Sequence, residues 1–262
     1  MESGMGSGRD WMRFLRGPAA RWLAPGIDLL YPPQCGICRR EPPVSAGTGP
    51  PAWPAAGVCA ECTRELAVDV SRCPRCGTPG TGDGCRRCAR AGPPWRSITI
   101  LTSYGGPVRD AVLRAKRPAG TRVAAGLAAL LVQRHGARLV AAGHDGVVPV
   151  PMHWLRRALR GCSAADDLAI GIAAATGRRV RRVLVRRRAT RMQNELPVGD
   201  RPANVRDAFG CRHGLGGAKL LLVDDVVTTG ATLAACCRAL VAAGAAVVDV
   251  AVVASADSSV DD

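Results

Sequence analysis

Aromatic side chains are scarce in this chain: two Phe, two Tyr and five Trp, or 3% of 262 residues. An extended base-stacking platform for single-stranded nucleic acid needs more rings than that. The core must come from Ala, Val, Leu and Ile instead. A hydrophobic content of 47% supplies enough of them for one sizeable α/β domain and a small module. Lysine is rarer still, found only at 116 and 219. The formal charge of +15 therefore rests on arginine, which grips phosphate with a forked pair of donors. Genome base composition is a second account of the same Arg and Ala richness. No stretch reaches the ~18 apolar residues of a membrane span. Arginine interrupts the apolar part of the first 33 residues, so no secretory signal is read there. Trp11, Phe14, Leu15 and Trp22 instead suggest one face of a short helix, and residues 1–30 are expected to be a helical extension packed on the protein. The expected location is the cytoplasm, where thiols stay reduced.

Cysteine is plentiful and unevenly placed. Eight of the twelve lie between 35 and 88 in four C-x-x-C pairs: Cys35/Cys38, Cys59/Cys62, Cys73/Cys76 and Cys85/Cys88. Two thiolates on one tight turn grip a metal ion, and two such turns complete a tetrahedral site with no open position for chemistry. Sequential pairing is the simplest arrangement, and the spacing leaves others open. A disulfide scaffold fits poorly with the absence of an export signal. Thiolates alone do not name the metal, so an iron–sulfur cluster stays open beside zinc. Two structural Zn²⁺ ions are the expectation, because a segment so rich in Pro, Gly and Arg cannot bury enough apolar area to fold unaided. Residues 31–92 are read as this double ribbon. Cys162, Cys211, Cys236 and Cys237 lack the spacing, and the last two sit in an apolar helical run as core.

After a linker, "RAGPPW" at Arg90 to Trp95, the pattern changes. Strands are expected at 97–104, 145–151, within 178–188, and at 218–225 and 245–255; helices at 107–117, 121–134, 165–176 and 229–243. In the second helix Val123, Leu127, Leu130 and Leu131 share a face; in the third, Leu168, Ile172 and Ala175 align. Continuous apolar strands alternating with helices argue an α/β domain over 96–256, a parallel sheet with helices on both faces. Ligands bind such sheets beyond the carboxyl ends of their strands.

One such end reads "LLLVDDVVTTGATL". It carries Asp224 and Asp225, then a turn of Thr228, Thr229, Gly230, Ala231 and Thr232 that opens a helix. Backbone N–H groups and the positive end of the helix dipole suit an anion there. Vicinal sugar hydroxyls can each donate to a carboxylate, so paired acids beside a phosphate cradle suit a sugar phosphate. Neither G-x-G-x-x-G nor G-K-[ST] is present. An ordinary Asp/Thr helix cap is the plainer account of the same residues.

The motif resembles the phosphoribosyl pyrophosphate (PRPP) signature of type I phosphoribosyltransferases. That resemblance implies that the turn holds the ribose 5′-phosphate and the acids hold the ribose hydroxyls. Together with the four C-x-x-C pairs after "LLYPPQC", "GPVRDAVLRAK" and "VVPVPMHWLRR", the chain from about 29 to 254 resembles the ComF family. The resemblance implies a double zinc ribbon fused to a phosphoribosyltransferase-like domain, with a link to DNA uptake. It places Pro151, His153, Arg156, Arg157 and Lys116 on the pyrophosphate side, and Arg188, Gln193, Arg201 and Asn204 in a second segment over the ligand. Mg²⁺ is the expected companion of PRPP. The family's usual Phe-Asn-Gln stands here as Cys162-Ser163-Ala164, and the residues after Lys116 are Arg117 to Gly120, "RPAG". Two functions follow. One is phosphoribosyl transfer to a nitrogenous acceptor with loss of pyrophosphate. The other is a non-catalytic module that senses PRPP or a ribose 5-phosphate-containing nucleotide, or grips single-stranded DNA through arginine.

Overall fold

Near-continuous apolar strands organise this chain, because a strand packed on both faces has no solvent side on which to place polar residues. The computed structural model describes residues 34–41, 57–66, 70–80, 85–90, 92–152, 163–187 and 208–256. The expected helical extension at 1–30 lies outside them. So do His153, Arg156, Arg157, Cys162, Arg188, Gln193, Arg201 and Asn204.

Two short helices accompany the cysteine pairs, α1 (Ala60–Leu66) and α2 (Arg86–Arg90). Then come β1 (Ile98–Ser103), α3 (Gly106–Ala115), a 3₁₀ turn at Pro118–Gly120, α4 (Thr121–Ala141), β2 (Gly146–Pro149) and α5 (Ala164–Thr176). The chain ends with β3 (Leu184–Arg186), β4 (Phe209–Cys211), β5 (Lys219–Val227), α6 (Ala231–Ala242) and β6 (Val247–Ser255). Four strands form a parallel sheet in the order β1-β6-β5-β2. β3 is the short strand expected within 178–188; it pairs antiparallel with β4, which was not expected, in a separate small sheet.

Strand alternation divides the core in two. Leu221, Val223, Ala251 and Val253 face α3, α4 and α5. Leu220, Leu222, Val250 and Val252 face α6 and the small sheet. Each fully buried Leu or Val of this kind contributes roughly 1.5–3 kcal/mol by leaving water. Cys236 and Cys237 are fully buried in the second layer, as core. Ala175 is exposed, so the expected stripe of α5 stops at Ile172 and Ala173.

The cysteine segment packs on this domain at two places. Ile37 and Val58 join the first core layer, and Arg114 Nη1 donates to Ile37 O at 2.6 Å. The Cys73–Gly77 turn covers the edge strand: Ile98 N–H donates to Pro74 O at 2.9 Å, which leaves this donor unavailable to a foreign strand. Gly77 has φ 79°, and a Cβ there would lie 2.5 Å from Ile100 Cδ1, so a side chain at that turn would be strained and would displace Ile100. The expected linker ends on a packed residue, while Arg90, Gly92 and Pro94 are exposed. Trp95 is only 6% exposed and sits in the second core layer.

Candidate functional site

β5 is longer than its apolar run. Its partner β2 ends at Pro149, opposite Val223, and Val150 N–H makes a last bond to Val223 O at 2.9 Å. β5 continues beside β6 alone as far as Val227. Asp224 and Asp225 therefore lie inside the strand, just past the point where β2 leaves it. Alternation sends the two side chains to opposite faces of the sheet. Asp225 points toward α3, where Lys116, the C-cap residue, places Nζ 3.1 Å from its Oδ1. Asp224 shares the face of Cys236 and Arg186, and its Oδ1 accepts from Asp225 N–H at 2.9 Å.

Burial, and then the neighbouring charge of Asp225, push Asp224 up to about 7; Lys116 and Arg186 pull the other way. Burial alone would lower Lys116, but Asp225 and then Asp224 outweigh it and hold the ammonium above its usual range. Arg186 projects from β3 and stacks on Phe209, 5.3 Å from the ring centroid. The two acids thus carry a cation on each side.

The turn after β5 has the expected form. Gly230 is left-handed, φ 78°, and is the N-cap of α6 without any side-chain cap. Ala231 N–H makes a long contact to Thr229 Oγ1 at 3.4 Å. Thr228 is exposed; Thr229, Gly230, Ala231 and Thr232 are half-buried. The helix begins at Ala231, two residues later than expected, and those two residues are the turn itself. Pro151 lies half-buried at the end of β2, on the same carboxyl edge of the sheet. His153, Arg156 and Arg157 follow it beyond the described residues. The arrangement can do two things chemically. Its carboxylates accept hydroxyl donors, and its capless helix start, with glycine at the entry, accepts an anion.

The eight cysteines gather into two groups, Cys35/Cys38/Cys59/Cys62 and Cys73/Cys76/Cys85/Cys88, with all sulfurs of a group within 4.8 Å of one another. This is the sequential pairing. None of the eight forms a disulfide. Cys38 and Cys59 sulfurs are 3.7 Å apart, Cys73 and Cys88 3.8 Å, and Cys76 and Cys85 3.4 Å. A tetrahedron with metal–sulfur bonds of ~2.3 Å has edges of about 3.8 Å, so each group fits a single ion. A multi-iron cluster would hold its thiolates further apart around its sulfide core. The thiols also behave as a crowded set. The backbone N–H of Cys88 draws Cys85 down to about 6, while burial and the neighbouring sulfurs push Cys88 up to about 12. Four thiolates so close need a cation to ionise together.

Three residues near the site carried no separate signal in the sequence. Arg186 was one of a run of arginines. In the sequence Trp95 ends the expected linker, and Arg87 lies between the two cysteines of a pair. Trp95 lies against Gly230, whose absent Cβ would meet the Trp95 ring at 3.1 Å. Arg87 Nη2 donates to Thr229 O at 3.4 Å. Two departures from the family pattern have structural uses. Ser163 Oγ caps α5 by accepting from Asp166 N–H at 3.3 Å, and Pro118–Gly120 form the 3₁₀ turn that joins Lys116 to α4.

Comparison with known proteins bears on the same region. The model of the phosphoribosyl transferase domain matches residues 211–262, which include the acids and the turn. The DNA utilization protein YhgH of Salmonella typhimurium is 32% identical over 202 residues, 75% of this chain and 85% of that protein. YhgH of Escherichia coli K12 is 31% identical over the same shares, and that of Shigella flexneri 30%. A domain match over the acids and turn, with this identity along most of each relative, settles the kinship: the chain belongs to the ComF family.

Proposed function

We propose that this protein binds PRPP with Mg²⁺ and transfers its phosphoribosyl group to a nitrogenous acceptor, releasing pyrophosphate. The observation that carries the reading is the pair Asp224/Asp225, half-buried at the sheet's carboxyl edge and followed directly by a turn into the N-terminus of α6, whose N-cap Gly230 offers no side-chain cap. In this reading Asp224 and Asp225 accept the ribose hydroxyls. Thr228, Thr229, Gly230, Ala231 and Thr232 cradle the 5′-phosphate. Pro151, His153, Arg156, Arg157 and Lys116 lie on the pyrophosphate side. Residues 31–92 form the double ribbon, which holds two structural Zn²⁺ ions, and 96–256 the transferase-like domain. The setting is the cytoplasm, where reduced thiols serve as ligands. Among the described residues no helix is long and apolar enough to cross a membrane.

Loss of pyrophosphate from the anomeric carbon passes through an oxocarbenium-like transition state. Catalysis then rests on holding the ribose, positioning the nucleophile and stabilising the leaving group. Mg²⁺ would supply charge neutralisation on the pyrophosphate. The chain's own residues do the rest. Asp224 and Asp225 fix the sugar, and the turn anchors its phosphate. Lys116, paired with Asp225 in this structure, is the described cation placed to turn toward pyrophosphate. Asp224 must be ionised to accept two hydroxyl donors, so its elevated pKa makes binding weaken as pH falls below about 7.

A second reading is favoured by the charge of +15 and by the name of the relatives, DNA utilization protein. The arginine surface would grip single-stranded DNA through its phosphates, with PRPP or a nucleotide as signal rather than substrate. Pyrophosphate release over a panel of nucleobases and amines separates the two. Turnover with any acceptor supports the transferase. No turnover, with DNA affinity falling steeply between 50 and 200 mM salt (as ~6 or more phosphate contacts require), supports the binding module.

A further inference from the structure

We propose that Trp95 and Arg87 are positioning residues that tie the second cysteine group to the phosphate-binding turn. Metal occupancy of Cys73, Cys76, Cys85 and Cys88 then sets the affinity for ribose 5-phosphate. The inference rests on the ligand reading above and adds a regulator to that site.

The tie runs from both chelating turns. Arg75 lies between Cys73 and Cys76, and its carbonyl accepts from Trp95 Nε1 at 2.8 Å. The Trp95 ring in turn backs Gly230 so closely that a Cβ would lie 3.1 Å from it. Arg87 lies between Cys85 and Cys88 and donates to the carbonyl of Thr229 at 3.4 Å. The first C-x-x-C turn thus reaches Gly230 through Trp95, and the second reaches Thr229 directly through Arg87. Pro94, beside Trp95, accepts from Cys237 Sγ at 3.2 Å, which pins the connection to α6. A cavity of about 260 Å³ lies beside these contacts, lined by Cys76, Arg87, Pro94, Trp95, Thr229 and Arg238 among others. Among the described residues, Trp95 and Arg87 are the ties by which this half of the ribbon backs the turn. The first cysteine group has another place: it docks on α3 and α4 through Ile37, Val58 and Arg114.

The metal fixes Arg75 and Arg87 relative to each other, because one ion joins the turns that carry them. When the metal is lost, the turns separate and Gly230 and Thr229 lose their backing. A pre-organised cradle then has to be ordered at the ligand's expense.

The test is calorimetric titration of ribose 5-phosphate into the zinc-loaded full chain, with metal content measured for every variant. Trp95→Phe keeps a ring against Gly230 and removes the bond to Arg75. Arg87→Ala removes the bond to Thr229. Each is expected to keep two metals and to bind ribose 5-phosphate about fivefold more weakly, the loss of one hydrogen bond. Arg87→Lys, which retains a donor, is expected to recover part of that loss. The tryptophan emission of the wild-type chain should change when ribose 5-phosphate is added, and the change should vanish in Trp95→Phe. Variants that keep both metals and bind as tightly as wild type would overturn the coupling and leave the ligand assignment standing. A wild-type chain that does not bind ribose 5-phosphate would overturn both.

Discussion

Asp224 works against the fold that carries it. Its raised pKa means that the folded chain holds more protons than the unfolded chain between about 4, the ordinary Asp value, and about 7. Stability therefore falls as pH rises through that window, and the cost is fully present above it. Removing the charge should relieve it. Asp224→Asn is expected to raise Tm by roughly 2–4 °C for each 1 kcal/mol of relieved repulsion, more at pH 8 than at pH 5. The same substitution should abolish PRPP binding, a trade of stability for function common at binding sites. Scanning calorimetry of both proteins at the two pH values checks the sign, and a Tm for Asp224→Asn below that of the wild type at pH 8 would contradict the account. The acids and the turn could be read in the sequence because they are contiguous, Asp224 to Thr232, and their chemistry is local. Lys116 could be placed only through the family resemblance, since a lysine 109 positions before its partner carries no local mark. Arg87, 142 positions from Thr229, had none at all.

At the scale of elements, hydrophobic runs predicted every strand of the parallel sheet. The runs located interiors better than ends. β5 continues four residues past its apolar run, from Asp224 to Val227, because β6 goes on pairing with it, and α4 continues to Ala141, seven residues past its expected end. β4 has only three residues and pairs with a strand of a basic run, too short for any period to show. The strand starts are joined by a buried carboxylate. Asp249 of β6 accepts from Arg96 and from Ser97 Oγ at 2.8 Å before β1, and lies 2.9 Å from His144 Nε2 before β2. Burial would raise its pKa, but His144, Arg96 and Ser97 outweigh burial and hold it well below the usual carboxylate range. A lowered acid pKa stabilises the fold above the ordinary Asp value, and that stability is lost as pH falls toward the lowered one. Asp249→Ala leaves His144 and Arg96 without their acceptor. It is expected to cost about 3 kcal/mol, read as a lower urea midpoint with unchanged m. Asp249 pairs in register with Leu221, three positions from Asp224 toward the strand starts, and touches none of the turn residues, so the PRPP affinity of the folded variant should not change.

The whole molecule combines a domain with a core of its own and a cysteine segment that has little core. Metal should decide whether the second part folds. Elemental analysis is expected to give two zinc ions per chain, and a thiol reagent should find the eight ribbon cysteines protected until a strong chelator is added. Fewer than two ions with those thiols readily modified would refute the ribbon assignment. The charge of +15 belongs to this scale as well, since it acts on any phosphate-bearing partner by field rather than by contact. What is specific at this scale is the meeting of β5, the turn after it and the second cysteine group at Thr229 and Gly230. The measurement that tests this most directly is calorimetry of PRPP with Mg²⁺ on the zinc-loaded chain and on the Asp224→Asn, Asp225→Asn double variant. The account predicts saturable binding by the wild type and none by the variant. No heat and no thermal shift with the wild type, or equal binding by both, would contradict it.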